Sequence, residues 1–280
     1  MRVHHLDCLT LCPPFNKWVS GTGGVWERGR MICHVLLIET DAHGLVLVDT
    51  AIGLDDCADT GGRLGRDFAF MMGIAKPPAE ATALRQVERL GFSRSDVRHI
   101  VLTHLDLDHA GGLADFPDAR VHVLADEREA ATQRRTIGEK SRYRPCQLAH
   151  GPKWATYRAE GERWRGFECV RGLEGLPPEI LMIPLTGHTR GHACVAVETG
   201  AGALVHAGDA YFHRAAVRDG HGEIPWALRM FEQNLAVDRS RIRDNHARLR
   251  ALGGEEGVTL FCAHDPQEFP PGTRTPPPTT

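Results

Sequence analysis

One short stretch, LTHLDLDHAGG at residues 102–112, constrains this chain more than any other. It follows an apolar run typical of a buried strand, and it gathers two histidines and two aspartates among leucines before a pair of glycines. Alternate residues of an extended segment point to the same side, so His104 and Asp106 can face one centre. Asp108 and His109 then turn in where the strand gives way to a helix. Side chains of these types at this spacing predict a metal site.

Three more candidate ligands follow predicted strands further along the chain. They are His188 in TGHTRGH, Asp209 in HAGDAYF and His264 in CAHD. A single histidine at a strand end is typical of a hydrogen-bonded structural residue, and an aspartate before a turn is typical of a cap. So many nitrogen and oxygen ligands, all at strand ends that converge on one edge of a sheet, have no simple explanation in core packing. Together they favour a metal centre.

Composition excludes several classes of protein. The chain has 280 residues, 42% hydrophobic and 25% charged, with a net charge of -3, so it lacks the basic field that a nucleic-acid partner requires. The N-terminus has no apolar run of the kind found in signal peptides, and no stretch approaches the roughly 20 apolar residues that span a bilayer. We therefore expect a cytoplasmic protein without a membrane partner. Its eight cysteines include no C-x-x-C pair, which indicates reduced thiols.

Hydrophobic patterning predicts a single domain over residues 1–265, with insertions at about 54–80 and 126–170. The second insertion is expected to be mostly helix and loop. A Pro-rich tail over residues 266–280 is expected to be extended or disordered. The predicted elements are a hairpin at 35–50, helices at 80–92 and 238–254, and strands at 97–103, 119–125, 179–185, 193–199, 202–209 and 258–265. Residues 44–53 and 202–212 are similar to each other, each a strand ending in Asp before a turn, which indicates two β-rich halves.

With these motifs the chain resembles the metallo-β-lactamase superfamily, whose signature is H-x-H-x-D-H followed by G-H-T, a later Asp and a C-terminal His. Within it, DHAGG, GHTRGH, GDA and the closing HD are most similar to the N-acyl homoserine lactonases. The resemblance runs from about Val35 to Asp265. It implies an α/β fold, an αββα four-layer sandwich with two mixed β-sheets flanked by helices, and a two-metal site at one edge.

The resemblance also implies how the ligands divide between two metal ions. It assigns His104, residue 106 and His188 to the first ion, Asp108, His109 and His264 to the second, and Asp209 to both as a bridge. His192 matches no ligand of the family, so we expect it to support a ligand or to be structural.

Residue 106 departs from the family, which has its second histidine there. Aspartate is shorter, so Asp106 reaches a metal only if the backbone or the ion shifts. If it binds, the site carries more negative charge and is a weaker Lewis acid, and the hard oxygen ligand makes iron, manganese or cobalt compatible as well as zinc. If it does not bind, the first ion has fewer ligands. We expect two divalent ions, zinc first among the candidates, with unequal affinities.

The function that the resemblance implies is a quorum-quenching lactonase, a hydrolase that opens a lactone or ester by attack of a metal-bridging hydroxide. Asp108 would orient the hydroxide and carry a proton to the leaving alkoxide. Tyr211 could stabilise the oxyanion, although in the lactonases the tyrosine lies three residues after the bridging Asp, where this chain has Phe212. The apolar segment at 68–75 and Trp226 could line an acyl-chain pocket or simply belong to the core.

Three alternatives stay open. A thioester hydrolase resembling glyoxalase II would use basic residues such as Arg239, Arg241 and Arg243 to bind a substrate carboxylate, although such a run commonly faces solvent. A promiscuous phosphotriesterase is compatible with the same metal centre. A non-catalytic metal-binding protein would explain Asp106 as decay of the site. The lactonases also make a homodimer a reasonable expectation.

Overall fold

Two β-sheets form the centre of the computed structural model, which describes residues 1–270. The strands are β1 (Arg2–Leu11), β2 (Met31–Glu39), β3 (Leu45–Val48), β4 (Val97–Val101), β5 (Arg120–Leu124), β6 (Lys153–Tyr157), β7 (Arg163–Trp164), β8 (Phe167–Glu168), β9 (Ile180–Pro184), β10 (Ala193–Thr199), β11 (Gly202–His206) and β12 (Val258–Phe261). The α-helices are α1 (Asn16–Ser20), α2 (Leu54–Ala58), α3 (Thr60–Arg63), α4 (Arg66–Met71), α5 (Ala83–Arg89), α6 (Leu107–Ala110), α7 (Ala125–Gln133), α8 (Ile137–Arg142), α9 (Pro145–Leu148), α10 (Trp226–Leu235) and α11 (Arg239–Gly253).

Both large sheets are mixed. The six-stranded sheet has the order β1-β2-β3-β4-β5-β6; it is antiparallel from β1 to β3 and parallel from β3 to β6. The four-stranded sheet has the order β12-β11-β10-β9, and only β11 and β12 are parallel. Strands β7 and β8 form a separate small hairpin. Parallel neighbours matter for function because their carboxyl ends meet at the same edge of a sheet.

Three hydrophobic clusters hold the layers together. On β2, Leu36 and Ile38 face the core between the two sheets, whereas Val35 and Leu37 face the opposite core, which includes Val87 of α5. The outer face of the smaller sheet packs on α11 in a third cluster. A strand buried on both faces is apolar throughout, as β2 is. The layers are therefore helix, sheet, sheet and helix, which confirms the predicted αββα sandwich.

Most predicted elements are present. The hairpin at 35–50 is β2 and β3, and Gly91, with a φ of +90°, follows α5 at the predicted stop. The elements that the sequence did not predict include β1, α1, α10 and three strands, β6, β7 and β8, inside the insertion expected to be helix and loop; β6 pairs with β5. Among residues 1–270, no helix is both long and apolar enough to cross a bilayer.

The first residues of the predicted tail are packed against the body of the protein. The carboxyl group of Glu268 is fully buried and accepts hydrogen bonds from the Tyr211 hydroxyl and the Cys262 backbone N–H. The Phe269 ring contacts the rings of His5 and His34. The packed part of the chain therefore continues beyond residue 265, the expected end of the domain. Residues 271–280 of the predicted tail lie outside the described residues.

Candidate metal centre

The predicted ligands come from loops that follow the strands. His104 and Asp106 lie just after β4, and α6 begins there and carries Asp108 and His109. Asp209 follows β11 and His264 follows β12, so the parallel pairing of these strands places both residues at one edge. His188 lies in the connection between β9 and β10. The structure brings all these side chains together, as the strand-end argument predicts.

Asp209 lies between two groups of ligands. Its Oδ2 is 3.7 Å from His104 Nε2 and 3.4 Å from His188 Nε2, whereas its Oδ1 is 3.4 Å from His109 Nε2 and 3.2 Å from His264 Nε2. A carboxylate with one oxygen directed to each group has the geometry of a bridging ligand. We call the half with His104, His188 and Asp106 the first metal position, and the half with His109, His264 and Asp108 the second.

The carboxylates of the motif complete the two halves. Asp106 Oδ2 is 3.4 Å from His104 Nε2 and 3.1 Å from His188 Nε2, so Asp106 reaches the first position despite its short side chain. Asp108 Oδ2 is 3.6 Å from His264 Nε2, at the second position. This division agrees with the one that the resemblance implied.

Several ligand atoms have no hydrogen-bond partner within residues 1–270. They are His104 Nε2, His109 Nε2, Asp106 Oδ1 and Asp209 Oδ1, all buried. Leaving buried polar atoms unpaired is costly, because folding removes the water that would otherwise bind them. Imidazole nitrogens and carboxylate oxygens around two points are ligands that zinc and related divalent ions prefer. The residues present therefore fit two divalent metal ions.

Asp49 supports His109 from behind, and sequence reasoning assigned it no role. Its carboxylate accepts hydrogen bonds from the backbone N–H (2.7 Å) and hydroxyl (2.7 Å) of Thr103 and pairs with His109 Nδ1 at 2.8 Å. This contact directs His109 Nε2 toward Asp209. Although burial opposes the charged form of both partners, His109 holds the pKa of Asp49 below its usual value, and Asp209 and Asp49 raise the pKa of His109.

Two further residues lie behind the ligands. His192 pairs with the Leu185 carbonyl at 3.0 Å through Nδ1, and its Nε2 accepts the backbone N–H of Asp209 at 3.0 Å, so it positions the bridging residue. Cys33 Sγ is 4.0 Å from His264 Nδ1, the ring nitrogen opposite the one that faces Asp209. Burial raises the pKa of the Cys33 thiol, which keeps it protonated.

A cation that sequence reasoning missed lies at the first metal position. Arg142, the last residue of α8, places Nη1 2.5 Å from Asp106 Oδ2 and 2.8 Å from His188 Nε2. Burial would raise the pKa of Asp106, but Arg142 and His104 hold it well below its usual range, so the carboxylate is charged. Burial and Arg142 lower the pKa of His188 to about 4, so the imidazole is neutral and can donate its lone pair.

One buried carboxylate ties the ligand loops together. Glu127, in the first turn of α7, accepts hydrogen bonds from the backbone N–H of Leu105 (2.9 Å) and the hydroxyl of Tyr143 (3.0 Å). Its other oxygen accepts from the Thr189 hydroxyl (2.6 Å) and the Gly191 N–H (3.1 Å). The loops that carry His104 and His188 and the end of α8 therefore share one acceptor.

The metal centre opens into a cavity of about 470 Å³. Asp108, Asp209 and His264 form one end, and the walls are largely apolar, with Leu11, Met31, Phe68, Met72, Phe212, Phe231 and Leu235. Phe68 and Met72 belong to the apolar segment at 68–75, for which pocket wall and core were both possible from sequence. Trp226 does not line this cavity: it is 54% exposed and packs against Trp18, with ring centroids 5.6 Å apart.

Tyr211 does not reach the cavity. It is completely buried, and its hydroxyl donates to Glu268 at 3.0 Å on the other side of the turn that carries Asp209. Burial and the adjacent Glu268 raise the pKa of Tyr211 well above its usual value. The packed position of Tyr211, one of its two interpretations from sequence, is the one the structure has, so the oxyanion role is not supported. Phe212, the next residue, lines the cavity instead.

Comparisons with known proteins give the same fold. The family model described as the metallo-beta-lactamase superfamily matches residues 28–254. A "probable metallo-hydrolase" of Mycobacterium tuberculosis is 44% identical over 96% of this chain and 82% of its own length. An N-acyl homoserine lactonase of Bacillus thuringiensis is 25% identical over 82% of this chain and 79% of its own. A solved N-acyl homoserine lactone hydrolase with bound N-hexanoyl-L-homoserine superposes with a TM-score of 0.68 at 20% identity, covering 95% of this chain and 94% of that one.

Proposed function

Because the chain belongs to the metallo-beta-lactamase superfamily and has a "probable metallo-hydrolase" among its relatives, we propose that it hydrolyses a lactone or ester with an apolar acyl chain. One observation carries this proposal: the metal centre lies at the end of a mostly apolar cavity. A volume of about 470 Å³ lies in the range of small-molecule sites and accommodates an acyl chain. An N-acyl homoserine lactone has this combination of an apolar chain and a reactive ring.

The chain's own residues supply binding, orientation and proton transfer. Two divalent ions, zinc first among the candidates, would provide Lewis acidity for the carbonyl oxygen and lower the pKa of a bound water molecule. Asp108 lines the cavity beside His264, where its carboxylate can orient that water and carry its proton to the leaving alkoxide. Phe68, Phe231 and Leu235 exclude water from the acyl chain.

Basic residues near the cavity bear on the alternative substrates, thioesters and phosphotriesters. For a glyoxalase II-like thioester hydrolase, the run at Arg239, Arg241 and Arg243 is poorly placed: Arg241 hydrogen-bonds Thr186 and pairs with Asp238, away from the cavity. Arg144 and Arg190 do line the cavity. Their charges favour thioesters or phosphotriesters as the second class to test, because a glutathione-type thioester carries carboxylates and a phosphotriester has a strongly polar phosphoryl oxygen. A homodimer and a cytoplasmic location stay predictions.

The first experiment measures proton release when N-acyl homoserine lactones of increasing chain length are added to protein loaded in turn with zinc, manganese or cobalt. We expect metal-dependent ring opening that improves with chain length, since longer chains bury more apolar surface in the cavity. Asp108→Asn should lower kcat by a factor on the order of 100 or more while the circular dichroism spectrum is unchanged.

The matched control is Asp118→Asn, a change at a surface carboxylate that pairs with Lys153. This variant should keep the wild-type rate. The lactonase proposal is wrong if no metal supports ring opening while a thioester or phosphotriester is hydrolysed. Activity on none of the three substrate classes would favour a non-catalytic metal-binding protein.

A further inference from the structure

We propose that the Arg142 guanidinium competes with the metal ion at the first position, so that the protein binds one divalent ion tightly and a second one weakly. The tight site is the second position, with Asp108, His109, His264 and Asp209. The inference concerns the same centre as the proposed hydrolase activity and rests on it for its biological meaning, but it is tested without any substrate.

The Arg142 guanidinium contacts the same ligand atoms that would bind a metal ion at the first position. Nη1 lies 2.5 Å from Asp106 Oδ2 and 2.8 Å from His188 Nε2. A zinc ion bonds to such oxygen and nitrogen atoms at about 2.0–2.2 Å. With its proton on Nδ1, the His188 ring has one lone pair at Nε2, and this lone pair either accepts the Arg142 N–H at 2.8 Å or binds a metal. The two cations therefore cannot both hold His188, and they repel each other across this short distance.

Arg142 is held in place at both ends. The helix that carries it, α8, begins with a capping box in which the Thr136 hydroxyl accepts the Glu139 N–H and the Glu139 carboxylate accepts the Thr136 N–H. At its other end the Arg142 side chain donates from Nη2 to the Leu235 carbonyl, at the end of α10, at 2.5 Å. The side chain is only 11% exposed. Displacing the guanidinium requires breaking its contacts with Asp106, His188 and the Leu235 carbonyl.

The second position has no comparable cation. Within residues 1–270, no lysine or arginine forms an ion pair with Asp108 or Asp209. Both halves contain buried ligand atoms without hydrogen-bond partners within residues 1–270, His104 Nε2 and Asp106 Oδ1 at the first and His109 Nε2 and Asp209 Oδ1 at the second, but only at the first does an arginine contact the ligands. An ion entering the second position gains its ligands without displacing a side chain. The two halves of the centre should therefore differ in affinity.

This arrangement also explains why residue 106 is an aspartate. A neutral histidine there could not bind a guanidinium as a carboxylate does, because a charged acceptor strengthens the hydrogen bond. Asp106 and Arg142 carry opposite charges that sum to zero, which is the charge of the histidine found in the family. With Arg142 in place, the first position contains a cation that belongs to the protein itself.

The test is a titration of the metal-free protein with zinc, monitored by isothermal calorimetry and by competition with a chelator. Mass spectrometry measures the metal content that remains after dialysis. We expect the wild type to retain one ion and to bind the second at least about tenfold more weakly. In Arg142→Met, the affinity of the first position for its ion should rise at least about tenfold, while the affinity of the second, tight position is unchanged. The matched control, Arg144→Met, removes a charge from the same cavity without touching a ligand and should behave like wild type.

Two tightly bound ions of equal affinity in the wild type would overturn the proposal. So would an Arg142→Met variant in which the first position binds its ion no more tightly than in the wild type. Arg142→Gln serves as a second variant in case Arg142→Met does not fold, because a neutral amide is polar enough for this largely buried site but carries no positive charge. Its first position should bind an ion more tightly than that of the wild type, and an unchanged affinity would count against competition. None of these outcomes depends on whether the protein opens lactones.

Discussion

Asp49, which lies outside the ligand set, should nevertheless affect metal binding at the second position. Asp49→Asn removes the negative charge that faces His109 Nδ1, so the ring is held less firmly and is a poorer ligand. We expect the affinity of the second position for zinc to fall about 10- to 100-fold. Chelator competition measures this, with Asp118→Asn as the exposed control. Unchanged affinity in a folded variant would mean that Asp49 serves only to hold Thr103.

Residues of the centre differ in how well the sequence predicts them. His104, Asp108 and the other ligands were predictable because each follows an apolar strand and belongs to a recognisable motif. Asp49 had a weaker signal, the similarity between two strands that each end in Asp. Arg142 had none, because it contacts Asp106 across 36 residues of sequence from an insertion without clear periodicity. Contacts of this kind depend on tertiary packing, which local patterns do not encode.

At the scale of elements, α7 acts through one side chain to hold the loops around the metal centre. Glu127→Ala would leave four buried donors without their acceptor, which costs more than an ordinary surface change. We expect the free energy of unfolding to fall by roughly 3 kcal/mol, measured by urea denaturation. Asp126→Ala, the neighbouring exposed residue of the same helix, is the control and should change stability by less than about 0.5 kcal/mol. Equal losses in the two variants would contradict this role for Glu127.

The elements that the sequence did not predict have separate physical reasons. Strand β6 is an edge strand with exposed positions, and only its pairing with β5 identifies it. Helix α10 did carry a signal, since Leu228, Phe231 and Leu235 recur at helical spacing and all pack on one core. Of that segment, only Trp226 had an interpretation from sequence, as part of a pocket wall or of the core. The strands of the sandwich were easier to predict because burial on both faces makes them apolar.

At the scale of the whole molecule, the chemistry and the substrate depend on different parts of the chain. The ligands follow strands of both sheets, whereas much of the cavity wall comes from α4, α8 and α10, which lie outside them. Strand ends are fixed by the fold that the whole superfamily shares, so a sequence motif predicts the metal centre. Helices α4 and α8 lie within the insertions at 54–80 and 126–170, outside the motif, so the motif leaves the ester unspecified.

The packed C-terminal segment should make the stability of the whole molecule depend on pH. Burial raises the pKa of Glu268 to about 7, although its hydrogen bonds and the nearby Arg218 oppose the shift. In the unfolded chain the pKa of a glutamate is about 4.3. The folded state therefore binds the proton more strongly: the contribution of this group is complete below pH ~4.3 and is lost as the pH rises through about 7.

For metal-free protein we expect the free energy of unfolding to fall by about 2 kcal/mol between pH 5 and 8 on account of Glu268. Glu268→Gln keeps the shape of the side chain but cannot ionise, so urea denaturation across this range should show a smaller decrease than in wild type, whatever the absolute stability of the variant. Glu255→Gln, at a partly exposed carboxylate paired with Arg165, should keep the wild-type slope. Parallel pH profiles for Glu268→Gln and wild type would mean that the buried carboxyl group ionises at its ordinary pH, and that the ion pair with Arg218 outweighs the cost of burial.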